Sequence, residues 1–178
     1  MLSRFLFLPA LCIHFFSWAQ DFKVEYDKNA DLSHYKTFQF GEGEIITPKD
    51  LRQVPDTTLH KWVRDAVTQE LTKKGLQRLD SAADLTVSYI VGSQVRSNAG
   101  DVGPLGLTPG TSSQTYMHDY RQGSIVIDLN DAKNNKLMWR INSSTSTGMA
   151  DAERSIGLIA SQGFKKFSIQ PKKAKKKK

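Results

Sequence analysis

Between Tyr116 and Thr147, two runs of alternating apolar and polar residues flank a short segment rich in Asn, Asp and Lys. Few arrangements other than a β-hairpin accommodate that pattern. In the first run Ile125, Ile127 and Leu129 share one face, with Ser124, Val126, Asp128 and Asn130 on the other. In the second, Leu137, Trp139 and Ile141 alternate with Met138, Arg140 and Asn142, and the β-branched Thr145 and Thr147 continue it. Between them Asn134 and Asn135 tolerate left-handed backbone and hydrogen-bond their own turn, so the chain can reverse over Asp131 to Lys136. The apolar face is expected to be buried. Asp128 and Arg140 fall on the opposite face, where they can pair across the strands.

Ahead of the hairpin, the first nineteen residues read as a leader rather than as part of a fold. Arg4 supplies a positive start, Phe5 to Phe16 a short apolar run, and Ser17-Trp18-Ala19 a small-x-small cleavage site before Gln20. The run is too short for a transmembrane span. The one cysteine, Cys12, lies inside it and is preceded by Leu11 rather than a small residue, which argues against lipidation there. A chain processed at Gln20 then has no thiol for a disulfide, a metal or nucleophilic catalysis, which suits an oxidising compartment.

The leader also changes how the charge is read. The chain carries 25 Lys and Arg against 18 Asp and Glu. Without Arg4 and the six lysines of the tail, Lys172, Lys173, Lys175, Lys176, Lys177 and Lys178, the remaining body sums to zero. The basic balance therefore belongs to the tail. Such a run is ordinarily solvated and disordered, and its functional alternative is contact with an anionic surface such as lipid head groups or cell-wall polymer. The body shows no basic face with interleaved aromatics, which argues against nucleic acid.

After the leader, Phe22, Val24 and Tyr26 alternate with Lys23 and Glu25, and Thr37 to Phe40 forms a second short strand beyond a polar turn. His34, near that turn, has no second His or carboxylate at a metal or catalytic spacing. Gly41 to Pro55 is a loop by composition. The clearest helix follows, with Leu59, Trp62, Val63, Ala66, Val67 and Leu71 on one stripe, a cap expected from Asp56 or Thr57, and a stop at Gly75. Leu76 to Leu79 reads as a short edge strand. Leu85 to Val91 is a stronger one, with Leu85, Val87, Tyr89 and Val91 inward. A second helix is expected over Gly148 to Ile169, with Met149, Ala152, Ile156, Ile159, Ala160, Phe164 and Phe167 on its stripe. Gly157 and Gly163 each weaken it unless they permit close packing.

Ser93 to Thr115 breaks the periodic pattern with Gly100, Gly103, Gly106, Gly110, Pro104 and Pro109, and reads as a long loop, disordered, functional or a plain extension of the hairpin. Its glycines match no phosphate-binding pattern. Tyr116, His118, Asp119, Tyr120 and Arg121 crowd its return to the hairpin. Of these, Tyr116, His118, Tyr120 and Arg121 are the candidate recognition surface, because aromatics and an arginine offer contact area and fixed donors at small entropic cost. The competing reading is a strand end carrying alternate aromatics.

Three blocks, VEYDKNADLSHYKTFQF near the start, ADLTVSY at Ala83 to Tyr89, and GSIVIDLNDAKNNKLMWR at Gly123 to Arg140, resemble the bacterial domain-of-unknown-function family 4136. The positions that carry the likeness include Tyr26, Asp27, Ala30, Asp31, Ser33, Tyr35, Lys36 and Thr37 in the first block. In the hairpin they are Gly123, Ile127, Asp128, Leu129, Asp131, Ala132, Leu137, Trp139 and Arg140. The resemblance implies a small α+β domain of the Gram-negative envelope, often carried on lipoproteins, with no established activity and no catalytic residues to transfer. Gln20 stands where members often have a lipobox cysteine, which argues against a lipid anchor, and Ile141 stands where many have Gly.

The expected fold is α+β in two layers, an antiparallel sheet with two helices packed on one face, formed by residues 20–170 between the leader and the tail. No catalytic residue, metal or cofactor is assigned, and the oligomeric state is left open. The leading expectation is a non-enzymatic protein, secreted to the periplasm or cell surface, that binds or scaffolds an envelope protein or polymer. One rival is an envelope-acting hydrolase using His118 and Asp119, although neighbours on a strand point to opposite faces and share a proton poorly. Another is a binder of a small apolar ligand held between helices and sheet.

Overall fold

The computed structural model describes residues 20–28, 30–102, 114–145 and 151–170; for 20, 21, 94–102, 114–121 and 145 it describes the backbone alone. The leader, the lysine tail, Met149 and Thr147 lie outside the described residues. Six strands, β1 (Gln20–Tyr26), β2 (Thr37–Ile45), β3 (Gln77–Arg78), β4 (Leu85–Val102), β5 (Gln114–Asp131) and β6 (Leu137–Thr145), form one sheet in the order β1-β6-β5-β4-β2-β3. Two helices, α1 (Asp56–Lys73) and α2 (Ala152–Gly163), share a single hydrophobic cluster with one face of that sheet.

The sheet is mixed, which corrects the antiparallel expectation. β1, β6, β5 and β4 run antiparallel in turn, but β2 is parallel to both β4 and β3. The cause is α1, whose eighteen residues carry the chain from the end of β2 back to the end of the sheet where β2 began. A hairpin reverses the chain, whereas a helical crossover returns it in the same sense. β2 is also longer than expected and continues through Gly41, Glu42, Gly43 and Glu44 to Ile45, with a register shift against β4 between Phe40 and Gly43. The loop read over Gly41 to Pro55 therefore starts only after Ile45 and contains one 3₁₀ turn, Lys49–Leu51.

On the core face the period-2 reading holds along most of its length. Leu85, Val87, Tyr89, Val91, Ile125, Ile127, Leu129, Trp139 and Ile141 are all buried, under Leu59, Val63, Val67 and Leu71 of α1 and Ile156, Ile159 and Ala160 of α2. Leu137 is the exception. It is 38% exposed while Met138 is buried, because Trp139 pairs with Leu129 and Leu137 with Asn130, leaving Met138 as the extra residue of a bulge. The turn reverses as expected at Asn135, whose φ of 57° is left-handed.

Each helix departs from expectation at one end. No side chain caps α1, whose N-cap is Pro55, and Asp56 instead binds Arg52 at 2.7 Å. Its other end stops as expected at Gly75, with φ of 95° and the paired bonds Leu76 N–H to Leu71 C=O and Gly75 N–H to Thr72 C=O of a Schellman motif. α2 is shorter than its stripe, so Phe164 and Phe167 are buried from the turn that follows it. Its two glycines differ. A Cβ on Gly163 would lie within 2.8 Å of three carbons of Ile141, while one on Gly157 would meet nothing within 4 Å. Only Gly163 serves close packing on the sheet.

Candidate functional site

Residues of the three sequence blocks meet at one end of the sheet. Asp84, just before β4, accepts hydrogen bonds at Oδ2 from the backbone N–H of Lys36 (2.9 Å) and Thr37 (3.0 Å) and from the Thr37 hydroxyl (2.9 Å). Its own N–H donates to Thr37 Oγ1, and its C=O accepts from Ala132. Asp131 accepts from the hydroxyl of buried Tyr35 at 2.6 Å and from the N–H groups of Lys133 and Asn134. The Lys36 N–H, with help from Thr37, holds the Asp84 carboxyl below its ordinary value, and the Tyr35 hydroxyl does the same for Asp131. Burial first, and then Asp131, pushes the Tyr35 phenol upward. Each carboxylate is thus occupied by donors, and together they form a clasp that ties the starts of β2 and β4 to the end of β5.

The described imidazoles make no relay. His34 packs against the Tyr35 ring, and His60 Nδ1 lies 2.8 Å from the Tyr89 hydroxyl on the helix side of the sheet. Tyr89 Oη also accepts from Arg64 Nε at 3.3 Å. Among the described residues no group of three His, Cys, Asp or Glu could hold a metal.

The outer face of the sheet is polar and open. Arg140 and Asp128 make two parallel bonds across β5 and β6, Nε to Oδ1 at 2.8 Å and Nη2 to Oδ2 at 2.6 Å. The pair predicted from the hairpin period is therefore formed, and Asp128 raises the Arg140 pKa. On an exposed sheet such a pair stabilises by about 0.2–1 kcal/mol. Beside it a shallow groove of about 200 Å³ is lined by Glu42, Glu44, Ser88, Tyr89, Ile90, Val126, Asp128 and Arg140. The sequence reading missed Glu42 and Glu44 by assigning them to a loop; their i, i+2 spacing was the strand signal, masked by Gly41 and Gly43. A second, more open depression of about 610 Å³ lies between Gln53, Val54 and Trp62 on one side and Asp151 to Arg154 on the other. It has no sheet residue in its lining, so it is not the space between helices and sheet expected of an apolar-ligand binder.

Where it is described, the stretch from Ser93 to Thr115 is the plain extension of the hairpin, a two-stranded ribbon. β4 and β5 remain paired from Gln94↔Gln122 out to Val102↔Gln114, whereas β2 last pairs with β4 at Val91 and β6 last pairs with β5 at Gly123. Nine pairs at about 3.4 Å each carry the ribbon about 30 Å beyond the layered sheet. Residues 103–113 lie outside the described residues. The candidate recognition residues sit on β5, in keeping with a strand end carrying alternate aromatics: Tyr116, His118, Tyr120 and Arg121 face Gly100, Asn98, Arg96 and Val95 in register. Their side chains are outside the description. The structure thus gives these four one strand and alternate positions, with Arg121 out of phase with the other three.

A mixed sheet covered on one face by two helices, with a charged open face and a projecting ribbon, defines a two-layer α+β domain. The chain belongs to the DUF4136 family, a domain of unknown function whose family profile matches residues 22–167. Solved structures share the fold. One is a DUF4136 family protein from Bacteroides thetaiotaomicron VPI-5482, with a TM-score of 0.53 and 14% identity over 85% of this chain and 98% of that one. The PelC dodecamer from Paraburkholderia phytofirmans gives 0.50 and 10% over 86% and 99%. A PDZ domain protein from Parabacteroides distasonis ATCC 8503 gives 0.55 and 12% over 85% of this chain and 36% of that one, so this chain spans about a third of its length. At these identities the likeness concerns the fold alone. No protein of curated function matches the chain.

Proposed function

We propose that this protein is a non-enzymatic component of the bacterial cell envelope that binds or scaffolds a partner through the β4–β5 ribbon. The observation that carries the reading is the run of pairs from Gln94↔Gln122 to Val102↔Gln114 with no flanking strand among the described residues. A two-stranded ribbon is marginal alone and leaves two edges of backbone donors and acceptors open, so a partner strand or surface would complete it. Tyr116, His118, Tyr120 and Arg121 lie along this ribbon and supply side chains suited to contact. The leader pattern ending at Ala19 supports export to the periplasm or cell surface.

The test is cross-linking in intact cells with the parent protein and with a variant in which Gln94 to Gln122 are replaced by Asn-Gly. The expected result is one set of envelope proteins or polymers recovered with the parent and lost with the variant. Equal recovery by both would remove the ribbon from function. A chain still carrying residues 1–19 after fractionation, found with cytoplasmic markers, would remove the envelope.

The lysine tail has a separate reading, weak attachment to anionic membrane through Lys172, Lys173, Lys175, Lys176, Lys177 and Lys178. Binding to phosphatidylserine-containing vesicles should weaken with salt and vanish when 172–178 are deleted. Binding indifferent to both would discard it.

A further inference from the structure

Strand β1 closes one side of the sheet. It pairs with β6 along its whole length, from Gln20↔Thr145 to Tyr26↔Trp139, and no strand of the described residues covers its other edge. An open edge of seven residues is a template for another chain, and proteins commonly blunt it with proline, a bulge or charged side chains that repel a neighbouring edge. β1 has no proline and no register shift, and its two charged residues with described side chains have opposite signs. Lys23 and Glu25 stand exposed on the outer face, with Nζ and Oε1 2.5 Å apart. Phe22, Val24 and Tyr26 take the helix side, where Phe22 and Val24 pack against the core. Tyr26 stacks on Trp139 at 4.2 Å and stays 36% exposed.

We infer that β1 pairs antiparallel with β1 of a second copy about a two-fold axis at Val24, joining two six-stranded sheets into one. The register follows from the side-chain alternation. A two-fold axis perpendicular to the sheet keeps the helices of both copies on one side. It must then fall on a residue, because a half-step would set an inward side chain opposite an outward one. An axis at Lys23 puts that lysine against itself, and an axis at Glu25 does the same for the glutamate. An axis at Val24 instead sets Lys23 opposite the second copy's Glu25, and Glu25 opposite the second copy's Lys23. Both are outer-face pairs of opposite sign. The same axis sets Phe22 opposite the second copy's Tyr26 on the helix side, where an aromatic pair covers the exposed part of that ring. The patch is self-complementary, as an isologous interface requires.

The charge pattern of the outer face continues across this junction. Asp128 binds Arg140, Arg140 lies opposite Glu25 in the β1–β6 register, and Glu25 would meet the second copy's Lys23. The row alternates in sign through four strands. Since β1 runs antiparallel to its copy, the two ribbons leave the joined sheet from opposite ends. If the ribbon binds as proposed, the dimer presents two binding arms facing apart; the β1 pairing itself does not depend on that reading.

The experiment is sedimentation equilibrium of the purified protein and three variants. Lys23→Glu sets like charge against Glu25 in both outer-face pairs, and Glu25→Lys does the same with Lys23. Each variant is expected to weaken self-association by about tenfold or more. An equimolar mixture of the two single variants should associate more tightly than either alone, because positions 23 and 25 again meet the opposite sign. The double exchange Lys23→Glu with Glu25→Lys should recover the parent affinity, which guards against a single variant that merely folds poorly. A parent that is monomeric at its highest soluble concentration, single variants that associate like the parent, or a mixture no tighter than its components would each overturn the proposal.

Discussion

β4 and β5 each pass through two environments, and the contrast between them explains most of what the sequence did and did not reveal. From Leu85 to Val91, β4 has β2 on one edge, β5 on the other and helices over one face, and its residues alternate between buried and accessible at almost every step. From Gln94 to Val102 the same strand has β5 as its one neighbour among the described residues, and the sequence turns to Ser, Asn, Ala, Gly and Asp. A period of two is not a property of extended backbone. It records one-sided burial, so it stops where the covering layer stops although the pairing does not.

The largest expected effect tests the covered half. Trp139 is 1% exposed, lies edge-on to Phe167 at 5.3 Å, and donates from Nε1 to the Gly163 C=O at 3.2 Å. Trp139→Ala should cost about 3–5 kcal/mol by denaturant melting, since the cavity left between sheet and α2 cannot collapse without moving the helix. A loss under about 1 kcal/mol would show that α2 rests on the sheet far less firmly than its burial implies.

A sharper test uses two glycines of one helix. Gly163→Ala forces a methyl against Ile141 and should destabilise by about 1–3 kcal/mol, the usual range for overpacking. Gly157→Ala meets open space and should stabilise by up to about 1 kcal/mol through helix propensity. Opposite signs from one chemical change would confirm that the covered half is limited by packing. Equal signs would mean that propensity dominates throughout α2.

Legibility follows the same division. The α1 stripe, the Gly75 stop, the core faces of β4 and β5 and the Asp128–Arg140 pair could be read because each depends on a repeating pattern or a local turn. The parallel placement of β2 could not, because strand direction depends on where α1 delivers the chain, and nothing in Thr37 to Ile45 encodes it. The Leu137–Met138 exchange was hidden because one bulge residue inverts the alternation without altering composition. Tyr116 to Arg121 read as the return to the hairpin, with a strand end carrying alternate aromatics as one of the two readings, and their backbone follows that one; the facing segment from Val95 to Gly100 carries no such alternation, so its pairing was not legible.

The clasp at the strand starts gives a smaller, pH-dependent effect. Asp84→Ala removes the acceptor shared by the Lys36 and Thr37 N–H groups and should cost on the order of 1–2 kcal/mol near neutral pH. The sign of the acid dependence follows from the direction of the shift. The Asp84 pKa is lowered in the folded state, so its contribution is present above the ordinary aspartate value and is lost as pH falls through the folded-state value. Unfolding free energy measured from pH 6 downward should therefore fall more steeply for the parent than for Asp84→Ala, and the two curves should converge in acid. Parallel curves would take Asp84 out of the linkage.

The smallest loss is expected where the most residues are removed. Replacing Gln94 to Gln122 by Asn-Gly joins Ser93 to Gly123, a pair already in register, through a two-residue turn of the kind that hairpins favour. The removed segment carries pairing that two strands alone sustain only marginally, and the replacement shortens the loop that the unfolded chain must close. The denaturation midpoint should stay within error or rise. A loss of about 2 kcal/mol or more would mean that the ribbon folds against the domain and helps hold it together. The contrast between the halves of β4 and β5 would then be one of composition alone, and a ribbon occupied by its own domain would no longer be open to a partner.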